Sequence, residues 1–363
     1  MNDPQMVVRL HKGWRYLSVS DGIELWSLVQ QRRIKIRGKV ERLNTVMSQL
    51  RNGIPIETCQ QVVANCLSTS LQYANQFLEH LRQSGIVLYA PQEAATPPTS
   101  TRNLYDPQIN FLNSFEREGV SGSTLDWQLR NRRVVIVGLG GFGSWVGLLL
   151  ARIGIRHIVA IDHDRVEVSN LSRQILYTNE DVGHFKVDAA AKRFVEADSD
   201  IQYESHVLDI KKSEDLIPLI TEADLVFMLF GYIPNRARNA ITTACIEAQV
   251  PFLVAGGNVL GPLCIPGKTP CHQCVVQQET TLSETAHVFE TNSSVESISP
   301  FAPLLTMMSG YVVWEAACFL SGCAQPQTLH GVYSFNLLDY QIQFLEVERL
   351  SNCACCGAPI LAT

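Results

Sequence analysis

The sequence predicts an α/β chain. A doubly wound, Rossmann-like sheet follows a small α+β, winged-helix-like domain. Three observations carry this. From about residue 130, β-branched runs alternate with apolar helical patterns. A glycine-rich turn follows the first of those runs. Before residue 91, hairpin and helix signals succeed one another at short intervals, and a Pro- and Thr-rich stretch comes after them.

In the N-terminal part, Ser20-Asp21-Gly22 breaks the stretch Trp14–Leu25 and predicts a hairpin. Arg33 to Arg37 alternates basic residues with Ile34 and Ile36, as a half-buried strand does, and Gly38 ends it. Val40, Leu43, Met47 and Leu50 recur at helical spacing until Asn52-Gly53. A short helical segment follows Pro55. Leu71, Ala74, Leu78 and Leu81 mark a third helix, and Ile86–Tyr89 a final strand. Domain boundaries are expected at 1–90 for this module, 91–104 for a linker and 105–363 for the sheet domain.

Bulk composition narrows the function. The 363 residues carry a net charge of −6 with hydrophobic residues at 46%, an ordinary globular balance. A mildly acidic chain lacks the basic footprint of a nucleic-acid binder. Charges scattered through residues 1–30 exclude a signal-peptide core, and the apolar stretches are interrupted as in a chain without a membrane span. Eleven cysteines, an odd number in a long chain, point to a reducing cytoplasm with some thiols used for metal.

In the second part, Val134–Val137 reads as a strand buried on both faces. It runs into Gly138-Leu139-Gly140-Gly141-Phe142-Gly143, with an apolar helix after it. Glycines let the backbone turn and approach a phosphate closely, and the helix N-terminus offers free N–H groups. Asp162, at the end of the next strand, sits where an acid accepts hydrogen bonds from ribose hydroxyls. Alone, this fingerprint suggests NAD. The residues after it carry another chemistry: Asn170, Arg173, Gln174 and Lys186 supply two amides and two cations, a set suited to a triphosphate, and Asp164 is a further cofactor-binding candidate beside them.

Two C-x-x-C pairs, Cys271/Cys274 and Cys353/Cys356, supply four thiolates for a structural zinc that staples the C-terminal tail to the sheet domain. Cys355 is an alternative ligand. Cys59, Cys66, Cys245, Cys318 and Cys323 lie in apolar surroundings and read as core.

The segment from Asp162 through Arg173-Gln174 to Gly183-His-Phe-Lys186 resembles a signature of the ThiF/MoeB/HesA family, whose fold binds ATP and activates carboxylates as acyl adenylates. The resemblance spans roughly residues 105–358 and includes the two cysteine pairs. It implies ATP with Mg2+, phosphate contacts and catalytic roles for Arg173 and Lys186, positioning by Asn170 and Gln174, and a homodimer whose sites borrow residues across the interface. Gly261–Cys271, Phe301-Ala302-Pro303 before a long helix, and the added N-terminal module resemble the branch that matures ribosomal precursor peptides of the microcin C and pantocin A type. The resemblance implies that the module serves as a clamp for a leader peptide: an exposed edge strand can pair with it by strand addition, and Arg32–Arg37, basic around two isoleucines, suits a leader with acidic and apolar residues. A DNA-binding winged helix or a dimerisation module are the alternatives for this part.

Two positions depart from the family pattern. Gly231 stands where relatives carry a magnesium-binding aspartate, and Ile109 where they carry an arginine donated across the dimer; Arg102 and Arg117 are substitutes for the latter. Cys245 and Cys264 are candidates for a thioester cysteine only by elimination. Glu279–Ser297 reads as a crossover loop over the substrate. The expected function is ATP-dependent activation of a peptide carboxylate, as acyl adenylate or acyl phosphate, in making a peptide-derived natural product. A non-catalytic peptide-binding relative, an activator of a ubiquitin-like sulfur carrier and an NAD-dependent oxidoreductase are the competing readings.

Overall fold

Two units divide the chain, Met1–Trp127 and Gln128–Thr363. The computed structural model describes residues 6–27, 29–91, 104–230, 235–282, 301–336 and 339–357. Apart from Pro91 and Leu104, the expected linker lies outside the described residues.

The first unit opens with β1 (Met6–Leu10), β2 (Trp14–Val19), β3 (Gly22–Ser27) and β4 (Arg32–Arg37). Then come α1 (Val40–Asn52), β5 (Ile54–Pro55), α2 (Ile56–Leu67), α3 (Leu71–Gln83) and β6 (Val87–Pro91). The Ser20-Asp21 turn closes the hairpin β2–β3, with Val19 opposite Gly22, and β4 pairs antiparallel to β3. A second sheet, β5-β1-β6, contains β6, the strand expected at Ile86–Tyr89, together with β1 and β5, which the sequence reading did not name. Its central strand β1 is a run of only five residues, Val7 to Leu10 buried. A run of five residues with Arg9 among its apolar positions is too short to show a period that would identify it. Leu43, Met47 and Leu50 of α1 and Ala74, Leu78 and Leu81 of α3 are buried as the helical spacing predicts, in one core with Trp14, Ile23 and Leu25. Two further helices, α4 (Asp106–Leu112) and α5 (Gly122–Arg130), follow.

Arg9 and Glu116 tie β1 to the segment after α4. The guanidinium donates to both carboxylate oxygens at 2.8 and 2.7 Å, and the Lys12 N–H donates to the same carboxylate at 2.7 Å. Glu116 is thus buried with its charge fully compensated.

The second unit contains β7 (Arg133–Val137), α6 (Gly141–Arg152), β8 (His157–Ile161), α7 (Lys186–Ala197), β9 (Gln202–His206), α8 (Ile217–Ile220) and β10 (Leu225–Phe230). It continues with α9 (Asn235–Glu247), β11 (Phe252–Gly256), β12 (Val259–Cys264), α10 (His272–Leu282), α11 (Ala302–Ser321), β13 (Gly331–Phe335) and β14 (Ile342–Glu346). Eight strands form one sheet in the order β14-β13-β12-β11-β10-β7-β8-β9. The five from β11 to β9 are parallel, and β12 to β14 add antiparallel. The chain moves outward from β7 through β8 to β9, then returns to place β10 on the other side of β7. This reversal opens a crevice at the carboxyl end of β7, where ligands of doubly wound sheets bind. Apolar clusters cover both sheet faces: α6, α7 and α11 on one, α8, α9 and the cysteine-bearing segments on the other.

By length and composition alone, α11 is apolar enough to cross a membrane. Its Leu305, Met308, Val312 and Ala316 are fully buried in the core shared with α6, so it is the buried helix of a packed sheet.

Candidate nucleotide site and cysteine cluster

The crevice is built by glycines with separate tasks. Gly138 takes φ +91°, a conformation L side chains rarely adopt, to turn the chain out of β7. A Cβ on Gly143 would lie 1.8 Å from the Gly138 carbonyl oxygen, so only glycine lets α6 start this close to the strand end. A Cβ on Gly141 would meet Leu305 at 2.8 Å. Gly140 faces open space, with no heavy atom within 4 Å of its added Cβ. It is the N-cap of α6, where free N–H groups and the helix dipole favour an anion.

Asp162 stands beside this turn and is nearly buried. One carboxylate oxygen accepts the Leu139 N–H at 2.7 Å and the other accepts the Asp164 N–H at 2.8 Å. Each oxygen has a second lone pair for a ligand hydroxyl. Asp164 in turn accepts from Lys186 Nζ at 2.7 Å, while its backbone carbonyl accepts the Lys186 N–H at 2.9 Å. Lys186 opens α7 with its side chain only 7% exposed, against 54% for Asp164. The ammonium is therefore held by a partner that solvent or a ligand reaches.

Asn170, Arg173 and Gln174 share one loop. Asn170 is buried, and its Oδ1 accepts the Glu167 N–H at 3.1 Å, closing a short 3-10 turn. Arg173 donates to the Ser169 carbonyl at 2.8 Å. Gln174 is 4% exposed, and its Oε1 has no hydrogen-bond partner among the described residues. Sequence reasoning passed over two residues that join this loop to the glycine turn. Trp145 on α6 donates from Nε1 to the Arg173 carbonyl at 3.1 Å, and Tyr177 donates its hydroxyl to the Leu139 carbonyl at 2.9 Å. Neither lies in a motif with a spacing to read. Gly231 and the segment Glu279–Ser297 fall outside the described residues except for the end of α10, as does Arg102. Ile109 lies in α4, and Arg117 is exposed.

The sulfurs of Cys271, Cys274, Cys353 and Cys356 converge within 4.8 Å of one another, all four residues buried. Three of their separations are 4.0, 3.6 and 3.3 Å, close to the edge of about 3.8 Å expected for a tetrahedron of sulfurs around zinc. Leu350 N–H points at Cys274 Sγ at 3.5 Å, as backbone amides do to bound thiolates. The donor set fits zinc, and it clips the segment after β14 to the start of α10. Cys355 is outside the four. Cys245 and Cys264 are fully buried, and burial pushes both thiols up, so neither offers a thiolate nucleophile at neutral pH. Cys59, Cys318 and Cys323 are buried as core residues and Cys66 is half-buried.

In the first unit, the basic strand β4 has its charges engaged. Arg33 pairs with Glu24, and Lys35 and Arg37 reach Asp21 at 2.7 and 3.4 Å. Arg32 donates to the Ser84 carbonyl at 3.2 Å.

A ThiF family model matches residues 105–356. The Escherichia coli sulfur carrier protein ThiS adenylyltransferase is 28% identical over 234 residues, 63% of this chain and 88% of that one. The E. coli molybdopterin-synthase adenylyltransferase is 27% identical over 259 residues, 70% of this chain and 95% of that one. Among solved structures, E. coli MccB with ATP superposes with a TM-score of 0.76 at 22% identity, covering 97% of this chain and 100% of MccB. PaaA superposes with a TM-score of 0.66 at 18% identity, covering 93% of this chain and 100% of PaaA. The family match covers well over half of the sequence and contains the glycine turn, Asp162, Lys186 and all four clustered cysteines: the chain belongs to the ThiF family of ATP-dependent adenylating enzymes.

Proposed function

We propose that this enzyme activates a carboxylate of a ribosomally made precursor peptide with ATP. The observation that carries this reading is the extent of the structural likeness. The molybdopterin-synthase adenylyltransferase is spanned almost whole by 70% of this chain. MccB is matched along its whole length by 97% of this chain, the N-terminal module included. MccB has been solved with ATP and with the MccA peptide. Residues 1–90 are the leader-recognition domain of this reading, and the adenylation domain runs from 105. Among the described residues β4 is an edge of its sheet, paired only with β3, and so offers backbone for strand addition. Because Arg33, Lys35 and Arg37 already have carboxylate partners and Arg32 a backbone carbonyl, recognition rests on that backbone and on Ile34 and Ile36 more than on free charge.

In the crevice, Asp162 would hold the ribose, and the amides at the start of α6 the phosphates. Arg173 and Lys186 would face the charge that develops at the α-phosphate, and Gln174 would position it. The carboxylate oxygen attacks the α-phosphorus, the bond to the β,γ-phosphates breaks, and pyrophosphate leaves with its electron pair. A homodimer, Mg2+ and a structural zinc belong to the same reading. The zinc's four cysteines are in place, and the metal would supply rigidity alone.

The test is incubation of the protein with ATP, Mg2+ and the product of a short open reading frame adjoining its gene. Peptide-dependent pyrophosphate release supports acyl adenylation. ADP and phosphate would replace it with acyl phosphorylation. Peptide binding without ATP consumption would make the chain a non-catalytic binder, and consumption dependent on a small protein ending in Gly-Gly would make it a carrier activator.

A further inference from the structure

Leu139 is the middle residue of the turn Gly138-Leu139-Gly140 and is fully buried. Both of its backbone polar groups are spoken for. Its N–H goes to Asp162 at 2.7 Å, and its carbonyl accepts the hydroxyl of Tyr177 at 2.9 Å. The peptide that joins Leu139 to Gly140 is planar and trans, so its C=O and N–H point in opposite directions. Fixing the carbonyl on Tyr177 therefore turns the Gly140 N–H the opposite way, away from that ring, and Gly140 itself is uncrowded, since an added Cβ would meet no heavy atom within 4 Å. No acceptor takes that N–H among the described residues.

We propose that Tyr177 is a positioning residue of the nucleotide site: its hydroxyl sets the Leu139–Gly140 peptide plane, so that the Gly140 amide donates to a nucleotide phosphate. The inference rests on the reading of this crevice as the ATP site and adds a residue with no place in the phosphate-binding set above. Tyr177 is 6% exposed, and burial holds its phenol well above the ordinary range. It stays a donor throughout the working pH range. A carbonyl in this position could otherwise turn outward to water. The flipped peptide would then present an oxygen, not an N–H, to an anion. Tyr177 also completes a pair of ties between the two phosphate-side loops, the other being Trp145 Nε1 to the Arg173 carbonyl at 3.1 Å. The cation loop and the glycine turn are thereby held at one spacing.

Tyr177→Phe in the full chain tests this, because it keeps the ring and removes only the donor. Binding of ATP with Mg2+ and of adenosine is measured by calorimetry or competition, together with Tm. ATP is expected to bind about tenfold more weakly, from loss of one buried hydrogen bond and the orientation it fixes. Adenosine, which has no phosphate for Gly140 to meet, should bind as it does to the unchanged protein. Equal weakening of both ligands would mean that Tyr177 merely supports the site as a whole. An unshifted ATP affinity would mean that the peptide needs no hydroxyl to hold it. Either result overturns the proposal. Failure of the unchanged protein to bind ATP, with NAD bound instead, would overturn the nucleotide reading itself and is visible before any variant is made.

Discussion

Two glycines in one turn lead to opposite expectations, and the contrast tests the crevice directly. In Gly143→Ala the new methyl would sit 1.8 Å from the Gly138 oxygen, whereas real Cβ atoms essentially never come within 3.0 Å of a neighbour. The obstacle is backbone, not the end of a flexible side chain. Either α6 or the strand end must retreat by about 1 Å in a core of fully buried residues. Overpacking of this kind costs roughly 3 kcal/mol. For a unit of this size, each kcal/mol moves Tm by about 2–4 °C, so a loss of roughly 6–12 °C is expected. Gly140→Ala is the opposite case. Its φ is −72°, and the methyl meets no heavy atom within 4 Å. Tm should fall by no more than about 3 °C. The methyl would stand where a phosphate must approach, and an overlap of about 2 kcal/mol weakens ATP roughly 30-fold. Differential scanning calorimetry and ATP titration of the two proteins separate these effects. A Gly140→Ala protein that binds ATP like the unchanged one would refute the placement of phosphate at the α6 N-terminus. A Gly143→Ala protein with unchanged Tm would refute the steric argument.

Other perturbations reach other parts of the molecule. Lys186→Met removes a nearly buried ammonium 2.7 Å from Asp164. ATP should bind about 10- to 100-fold more weakly, the worth of a charge-assisted contact, with adenosine unaffected; equal losses for both would show a folding defect instead. The protein should contain one zinc per chain by elemental analysis. Cys271→Ser should lose it and lower Tm, and Cys355→Ser, outside the convergent set, should retain it. Glu116→Gln leaves the Arg9 guanidinium buried beside a neutral amide, at a cost of roughly 3 kcal/mol. Urea unfolding of the first unit should shift to a lower midpoint, while a midpoint within error would show that water reaches the pair.

Legibility followed the range of the interactions. The hairpin at Ser20-Asp21 and the helices carrying Leu43, Met47, Leu78 and Leu81 were readable because turn chemistry and helical period act over a few neighbours. The glycine turn was readable for the same reason. Each glycine answers a backbone demand set within a few positions, such as φ at Gly138 or the approach of Gly143 to Gly138. β1 was not readable. Five residues beside a charged start have no period, and the strand is central only because β5 and β6, from elsewhere in the chain, flank it. The basic run Arg32–Arg37 looked like a free cationic edge. Its partners are Asp21 in the β2–β3 turn and Glu24 on β3, and only the pairing of β3 with β4 brings the charges together.

By itself, then, the sequence determined the kind of sheet, the glycine turn with Asp162 beside it, and the two cysteine pairs, because each is written in residues close together and in residue types with few alternatives. Tertiary structure alone decided which cysteines converge, since Cys353 and Cys356 lie 82 residues from their counterparts Cys271 and Cys274 and Cys355 between them has the same chemistry. It alone buried Glu116 on Arg9, and it alone aimed Tyr177 at the Leu139 carbonyl, 38 residues back along the chain. A hydrogen bond between distant segments exists only after the elements that carry them have packed, and no local pattern of residues announces it.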